Sequence, residues 1–158
     1  AVVSRLHGSD VPALPVRPLS VAHRSGDGLG FPTGGFAAML DEGFVPVLHG
    51  DVVVHEGKGA TVLSGDEIVV ALARALDADR VGLCSTVPGV LDGETVVPEI
   101  ESYERVSDAV GDSDATDVTG GMAGKVRTLL DLDSPAAIFA LSDLDTFLDT
   151  GTAGTVVR

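Results

Sequence analysis

Three glycine-containing segments carry side chains that could take part in phosphate chemistry. They are His49-Gly50-Asp51, Ser64-Gly65-Asp66 and 117–125 (DVTGGMAGK). Each one is predicted to follow a strand or to open a helix, and ligands bind at such positions in open α/β sheets. The free N–H groups of a helix N-terminus attract phosphate, and glycine lets the backbone approach it closely. These segments are therefore candidates for a phosphate-binding site.

Lysine is scarce in this chain, which makes its positions informative. Of ten basic residues only two are lysines, Lys58 and Lys125. Lys125 stands behind GGMAG at the predicted start of a helix, where a cation can bind phosphate. The alternative is a solvated lysine on the first helical turn, and the residue types leave both interpretations open. Neither a complete Walker A sequence nor a complete GxGxxG sequence occurs.

The aspartates of the first two segments also have two interpretations each. Asp66 is either a first-turn acid that complements the helix dipole or a carboxylate that holds cationic groups at the mouth of the sheet. The pattern alone favours the dipole interpretation. Asp51 points more to function, because it follows a buried strand and a glycine. No zinc site is predicted, since the four histidines lack metal-ligand spacing and Cys84 has no partner cysteine.

The elements that must position these segments alternate between strands and helices. Strands are predicted over 13–18, 44–48, 52–55, 60–63, 80–84, 96–97, 136–141 and 154–157. Helices are predicted over 36–42, 68–76, 125–132 and 143–148, with a weaker pattern over 103–110. Gly43 is expected to end the first helix and Ser142 to cap the last, and 25–35 is expected to be a loop. Such alternation predicts an α/β layered domain with a mainly parallel sheet.

Length and composition restrict the class of protein. The 158 residues fit one domain with a substantial core. No apolar run approaches the roughly 20 residues that span a bilayer, so no membrane insertion is predicted. Acidic residues outnumber basic ones, 24 to 10, which disfavours nucleic acid as a partner. A single cysteine without a visible secretory signal predicts a cytoplasmic location.

The acidic excess indicates a salt-adapted protein. The net charge is −14, aspartate outnumbers glutamate 17 to 7, and there is no tryptophan. In about 1 M salt the Debye length falls to roughly 3 Å, so a dense carboxylate surface no longer repels itself. An ordinary acidic bacterial protein is the alternative, against which the rarity of lysine argues.

Several segments occur in an order and spacing that resembles the amino acid kinase family, and within it the archaeal isopentenyl phosphate kinases. They are VPVLHGDVV (45–53), TVLSGDEI (61–68), RVGLCSTVPGV (80–90), DATDVTGGMAGKV (114–126), AAIFAL (136–141) and the final Gly154-Thr155. The resemblance implies a three-layer αβα sandwich with a mainly parallel central sheet. It also implies transfer of the ATP γ-phosphate to a phosphate oxygen of isopentenyl phosphate, giving isopentenyl diphosphate for isoprenoid synthesis.

The resemblance assigns roles to the candidate residues. Lys125 would contact the nucleotide phosphates and Asp66 would orient cationic groups around the transferring phosphoryl group, so both would serve catalysis. The nucleotide side would comprise Ser85, Val90, Asp117, Thr119, Gly120, Gly121, Met122, Gly124 and Lys125. The acceptor pocket would be lined by His49, Gly50, Asp51, Ser64 and Gly65. Mg²⁺ would be held mainly through the ATP phosphates, without a dedicated protein cage.

The sequence departs from the family pattern in two places. The family's nucleotide-side loop reads TDVDGV, whereas 85–90 reads STVPGV and lacks the first aspartate. The family's opening strand with a lysine and a GGS-type turn, and a later acceptor-binding histidine, have no counterpart here. We therefore expect a C-terminal portion of one kinase domain, inactive by itself. Residues 1–60 would be the remainder of the acceptor lobe and 61–158 the nucleotide lobe.

Two other functions stay open on the sequence. One is a kinase of the same family that acts on a different phosphate or on a carboxylate. The other is a remnant that binds nucleotide without catalysis. The expected partner is a small-molecule phosphate acceptor. Absent strands would leave a bare sheet edge, which favours association such as a homodimer.

Overall fold

The computed structural model describes residues 1–26, 28–107, 109 and 121–158. Within it the chain forms two compact units, Ala1–Leu76 and Asp77–Arg158. The division expected from the resemblance, into residues 1–60 and 61–158, concerns function rather than compactness. The assignment of one lobe to the acceptor and one to the nucleotide stays a prediction.

The first unit is built on a four-stranded mixed sheet. Its elements are α1 (Val2–His7), β1 (Ala13–Pro15), α2 (Pro18–Val21), β2 (His23–Ser25), β3 (Gly28–Gly30), α3 (Thr33–Asp41), β4 (Val45–Val47), β5 (Asp51–His55), β6 (Gly59–Leu63) and α4 (Gly65–Ala75). The sheet order is β3-β2-β5-β6, and β1 pairs separately with β4. Strands β2 and β5 are parallel, while the outer pairs are antiparallel. The core of this unit joins Ala22, Val53, Leu63 and Ile68.

The β5–β6 hairpin confirms the strands predicted on either side of EGKG. Gly57 and Gly59 adopt φ values of 75° and 82° in its turn, a conformation that favours glycine. Side chains alternate along β5, so Val53 is buried while Val52 and Val54 are exposed. The end of α3 is also as expected, because Gly43 has a φ of 79° and its N–H donates to the carbonyl of Leu40.

Two expectations for the first unit are wrong. The segment 25–35 is not only a loop, since its residues end β2, form β3 and begin α3. Strand β3 forms despite its two glycines because it pairs with β2, which in turn pairs with the distant β5. The strand predicted over 44–48 exists as β4, but Phe44 and Val45 are 38% and 42% exposed rather than buried. Asp27 lies outside the described residues.

The second unit is built on another four-stranded mixed sheet. Its elements are β7 (Val81–Ser85), β8 (Leu91–Asp92), β9 (Thr95–Val96), β10 (Glu99–Ile100), a 3-10 helix (Tyr103–Arg105), α5 (Gly121–Leu130), β11 (Ala136–Ala140), a second 3-10 helix (Leu141–Asp143), α6 (Leu144–Thr150) and β12 (Thr155–Val157). The sheet order is β10-β12-β11-β7, with β8 and β9 as a separate hairpin. Strand β11 is parallel to β7 and antiparallel to β12.

The core of the second unit surrounds β11, as its apolar sequence predicts. The ring of Phe139 stacks on that of Phe147 from α6, with centroids 4.7 Å apart. Helix α5 buries Ala123, Val126 and Leu129, whose three-residue spacing places them on one face. The second unit therefore has a mainly apolar core between sheet and helices.

Three details of the second unit correct the sequence predictions. Helix α5 already includes Gly121, because Ala123 is buried on the same face of the helix as Val126. Lys125 therefore lies beyond the first turn. Ser142 is not the cap of the last helix, since it lies in the 3-10 helix and Asp143 occupies the N-cap position. The pattern over 103–110 begins as a 3-10 helix rather than an α-helix. Among the described residues, no helix is long and apolar enough to cross a membrane.

Candidate active site

Two of the three candidate segments lie side by side in the first unit. Asp51 is opposite Leu63 in the β5–β6 ladder. A Cβ atom on Gly50 would lie 3.3 Å from the carbonyl oxygen of Leu63 and 3.5 Å from the amide nitrogen of Gly65. The absence of a side chain at Gly50 therefore lets the His49–Asp51 turn contact the turn that opens α4.

A capping box fixes the start of α4. The Ser64 hydroxyl accepts a hydrogen bond from the N–H of Glu67 at 3.2 Å, and a Glu67 carboxylate oxygen accepts one from the N–H of Ser64 at 2.9 Å. Two N–H groups that a helix end leaves unpaired are thereby satisfied. This arrangement holds the backbone of the Ser64–Asp66 turn in one conformation.

Arg24 of β2 binds the other oxygen of the same carboxylate. Its Nη2 lies 2.5 Å from Glu67 Oε1. Partial burial acts to raise the pKa of Glu67, but the N–H of Ser64 and the Arg24 guanidinium outweigh it and lower that pKa. Sequence reasoning missed both residues. The S-x-x-E spacing could have revealed Glu67, whereas nothing local could have revealed Arg24.

Asp51 is engaged within the first unit. Its carboxylate accepts hydrogen bonds from the N–H of Val52 at 2.8 Å and of Leu19 at 3.3 Å, and Arg17 Nε lies 3.4 Å away. The Val52 N–H, helped by Leu19 and Arg17, lowers the pKa of Asp51 against the effect of desolvation. Asp51 therefore joins the start of β5 to the start of α2.

The remaining candidates of the first unit are accessible. His49 is exposed, and its Nδ1 lies 2.7 Å from the carbonyl oxygen of Gly50. Gly65 is exposed, and a Cβ atom there would meet nothing within 4 Å. Asp66 is half-buried in the first turn of α4. The space beside Gly65 is therefore open at a helix N-terminus, a kind of position that favours anions.

In the second unit, Ser85 and Val90 bound the loop that follows β7. Ser85 ends the strand, and its hydroxyl accepts a bond from the N–H of Val87 at 3.5 Å. Val90 is fully buried, its N–H donates to the Thr155 hydroxyl, and its carbonyl accepts from Val97. These contacts indicate that Val90 holds the end of the loop in place. Its contact with the nucleotide stays a prediction. Thr155 is not one of the predicted site residues.

Helix α5 carries the described part of the third segment. Gly121 opens it with a φ of 54°. Met122, Gly124 and Lys125 are half-buried, beside the fully buried Ala123. The predicted site residues Asp117, Thr119 and Gly120 lie outside the described residues. The third segment is thus described only from Gly121 onward.

The donor set of the described residues bears on how Mg²⁺ could be held. Among them, no group of three or more His, Cys, Asp or Glu side chains is placed to hold a metal ion. Asp66 is one carboxylate at the N-terminus of a helix, and Mg²⁺ in phosphoryl-transfer sites is commonly bound by one or two carboxylates together with substrate phosphates. That Mg²⁺ is held mainly through the ATP phosphates stays a prediction.

The chain is similar to known proteins in sequence and in fold. The isopentenyl phosphate kinase of Haloferax volcanii is 57% identical to this chain, and the match covers the full length of this chain. That of Methanocaldococcus jannaschii is 35% identical over 79% of the chain. A crystal structure of an isopentenyl phosphate kinase superposes with a TM-score of 0.79 at 22% identity over 99% of the chain. The resemblance seen in the sequence and the α/β fold that it implied are confirmed.

The chain spans 64% of the length of the Haloferax protein, 48% of the Methanocaldococcus protein and 64% of the crystallised one. Residues 2–132 match the sequence pattern of the amino acid kinase family. That match covers more than half of the chain, and the superposition agrees with it. The chain therefore belongs to the amino acid kinase family.

Proposed function

We propose that this chain is part of an enzyme that phosphorylates isopentenyl phosphate with ATP, giving isopentenyl diphosphate and ADP. The observation that carries the proposal is the 57% identity to the isopentenyl phosphate kinase of Haloferax volcanii. This match extends over the whole of the present chain. The high acidity supports a salt-adapted enzyme, and the single cysteine supports a reducing cytoplasm.

In the proposed reaction, a phosphate oxygen of isopentenyl phosphate attacks the γ-phosphorus of ATP. A new P–O bond forms there, and the bond from the γ-phosphorus to the β,γ-bridging oxygen breaks with its electrons going to ADP. Such a step needs little covalent chemistry from the protein. It needs alignment of donor and acceptor and neutralisation of charge on the transferring group.

The first unit is suited to the acceptor side of this reaction. The His49–Asp51 turn and the N-terminus of α4 lie against each other. The backbone of α4 is open at Gly65, where a Cβ atom would meet nothing within 4 Å. Backbone N–H groups and the helix dipole at that point favour a phosphate. Asp51 and Ser64 support this site through the backbone, since their side chains bind neighbouring N–H groups.

Two charged residues carry the proposed chemistry. Lys125 contacts the nucleotide phosphates with its ammonium group and offsets their charge. Asp66 orients cationic groups around the transferring phosphoryl group. Mg²⁺ bound to the phosphates would supply further charge neutralisation. The nucleotide side further comprises the loop after β7 and the start of α5.

The test is product formation by the full-length natural protein in molar potassium chloride. It is incubated with ATP, Mg²⁺ and isopentenyl phosphate, and isopentenyl diphosphate is quantified by mass spectrometry. We expect ATP-dependent product with this acceptor and at most traces with N-acetylglutamate or carbamate. Equal or faster phosphorylation of a carboxylate acceptor would contradict the proposal.

A matched control separates the site from the rest of the protein. Gly50→Ala places a Cβ against the backbone of Leu63 and Gly65, whereas Gly57→Ala changes a hairpin turn where a Cβ meets nothing within 4 Å. We expect Gly50→Ala to raise the KM for the acceptor. We expect Gly57→Ala to affect only stability, because its φ of 75° disfavours alanine.

A further inference from the structure

The loop that follows β7 is tied to the start of β12 by one buried hydroxyl. Thr155 is fully buried. Its hydroxyl accepts a hydrogen bond from the N–H of Val90 at 2.8 Å and donates one to the carbonyl of Val97 at 2.7 Å. The N–H of Val97 in turn donates to the carbonyl of Val90 at 2.8 Å. We call Thr155, Val90 and Val97 the Thr155 latch.

Two glycines make the close approach of these segments possible. A Cβ atom on Gly89 would lie 2.6 Å from the Thr155 hydroxyl oxygen and 2.8 Å from a methyl group of Val96. Gly154 has a φ of 60°, and a Cβ there would overlap the carbonyl oxygens of Ile138 and Pro88. The loop and the start of β12 therefore pack backbone against backbone at two successive points.

The latch fixes one end of the loop while the sheet fixes the other. Ser85 pairs with Ala140 in the parallel ladder of β7 and β11. Val90 is held by its N–H, its carbonyl and its fully buried side chain. A six-residue segment pinned at both ends has few conformations, so little entropy is lost when a ligand binds it. The segment also stands at the carboxyl end of a parallel strand, where ligands bind in such sheets.

We propose that the Thr155 latch holds the 85–90 loop in the shape that binds the nucleotide. Thr155 is then a positioning residue, because its buried hydroxyl acts through the backbone of Val90. This inference rests on the proposed function, which assigns the loop to ATP. The start of β12 thereby influences nucleotide affinity, although it lies far from the loop in the sequence.

Removal of the hydroxyl tests the latch. Thr155→Val keeps the size and shape of the side chain but removes the partner of the buried Val90 N–H and of the partly buried Val97 carbonyl, which is costly. The loop is expected to shift until water reaches them. We expect the KM for ATP to rise about tenfold, which lies within the cost of the two lost hydrogen bonds, with the KM for the acceptor within about twofold. Thr155→Ser, which keeps the hydroxyl, is expected to restore the wild-type KM for ATP.

The experiment uses the full-length protein with two readouts. Hydrogen–deuterium exchange of the 86–97 segment reports on the latch without any substrate, and steady-state kinetics reports on both substrates. Val157→Ala is the control, because Val157 is fully buried in the same strand and pairs with Ala136 and Ile100 rather than with the loop. We expect the control to lower the melting temperature while leaving the KM for ATP unchanged.

Gly89→Ala disturbs the same contact from the side of the loop, because its Cβ would overlap the Thr155 hydroxyl. The inference is therefore testable even if Thr155→Val does not fold. Faster exchange over 86–97 together with a raised KM for ATP in either variant supports the latch. Faster exchange with an unchanged KM for ATP, or unchanged exchange, overturns it. A wild-type protein that binds no ATP overturns the proposed function and, with it, the nucleotide role of the latch.

Discussion

The two compact units differ sharply in charge. Residues 1–76 contain eight acidic and five basic side chains, for a net charge of −3, whereas residues 77–158 contain 16 and five, for a net charge of −11. The unit proposed to bind ATP is thus the one that repels anions more strongly. Its affinity for phosphate must come from local groups such as Lys125 and backbone N–H groups, because the overall field opposes binding.

The units also differ in what holds their candidate sites. In the first, the start of α4 is fixed by a polar arrangement of Ser64, Glu67 and Arg24. In the second, the loop after β7 is fixed against an apolar core through one hydroxyl, that of Thr155. Most of the exposed large apolar side chains in the described residues also lie in the first unit. The conformation of the first site should therefore depend on charge and pH. That of the second should depend on packing and salt.

The largest effect is expected at Asp66. Asp66→Asn keeps the size of the side chain and removes its charge, so it should lower kcat about a hundredfold or more while the Kd for ATP stays near wild type. The matched control is Asp145→Asn, because Asp145 is also an acid in the first turn of a helix, α6. Steady-state kinetics and ATP titration check both variants. Equal, small effects of the two substitutions would leave only the dipole interpretation of Asp66.

A smaller effect is expected at Lys125. Lys125→Ala should weaken ATP binding about tenfold to thirtyfold, because one charge-assisted contact to phosphate is lost in a strongly acidic unit. Lys58→Ala is the control, since it removes the only other lysine, in the turn of the β5–β6 hairpin. Calorimetric titration with ATP measures both. The same affinity in both variants would remove Lys125 from the site.

Salt should stabilise the second unit more than the first. Raising potassium chloride from 0.1 M to 2 M screens the repulsion among the acidic residues, so the melting temperature should rise by about 5 °C, or roughly 1.5 kcal/mol. Hydrogen–deuterium exchange locates the effect. Amides of 77–158 should gain more protection than those of 1–76, which serve as the internal control. A melting temperature that stays flat would contradict salt adaptation.

The fold could be predicted wherever a local pattern decides the structure. The β5–β6 hairpin follows from two alternating strands around a glycine-rich turn, and β11 from a short apolar run. The adjacency of the Gly50 and Ser64 turns follows from that hairpin, because its two ends must meet. These parts depend on residues that are near in sequence.

The rest depends on contacts between distant residues. Arg24 meets Glu67 only because β2 pairs with β5, and Thr155 meets Val90 only because β12 joins the sheet beside β11. The glycines of 25–35 predict a loop for a similar reason, because β3 forms there only by pairing with β2. No spacing within one segment could have indicated these partners.

The smallest effect tests the polar arrangement of the first unit. Glu67→Gln keeps a group that can accept the Ser64 N–H but removes the charge that pairs with the largely buried Arg24. We expect a loss of about 1 kcal/mol of unfolding free energy at pH 7, limited by the 42% exposure of the Glu67 side chain. Chemical denaturation of both proteins measures this difference. Glu94→Gln, in the turn of the β8–β9 hairpin, is the control and should cost almost nothing.

The pH dependence of that difference identifies its cause. The folded-state pKa of Glu67 lies below its ordinary value of 4.5, so the carboxylate contributes its full stability above that value. The contribution is lost as the pH falls through the folded-state pKa, because the protonated side chain no longer carries the charge that pairs with Arg24. The gap between wild type and Glu67→Gln should therefore be constant from pH 6 to 8 and shrink below about pH 4.5. A gap that persists unchanged at acid pH would mean that shape and packing at Glu67, rather than its charge, hold the start of α4.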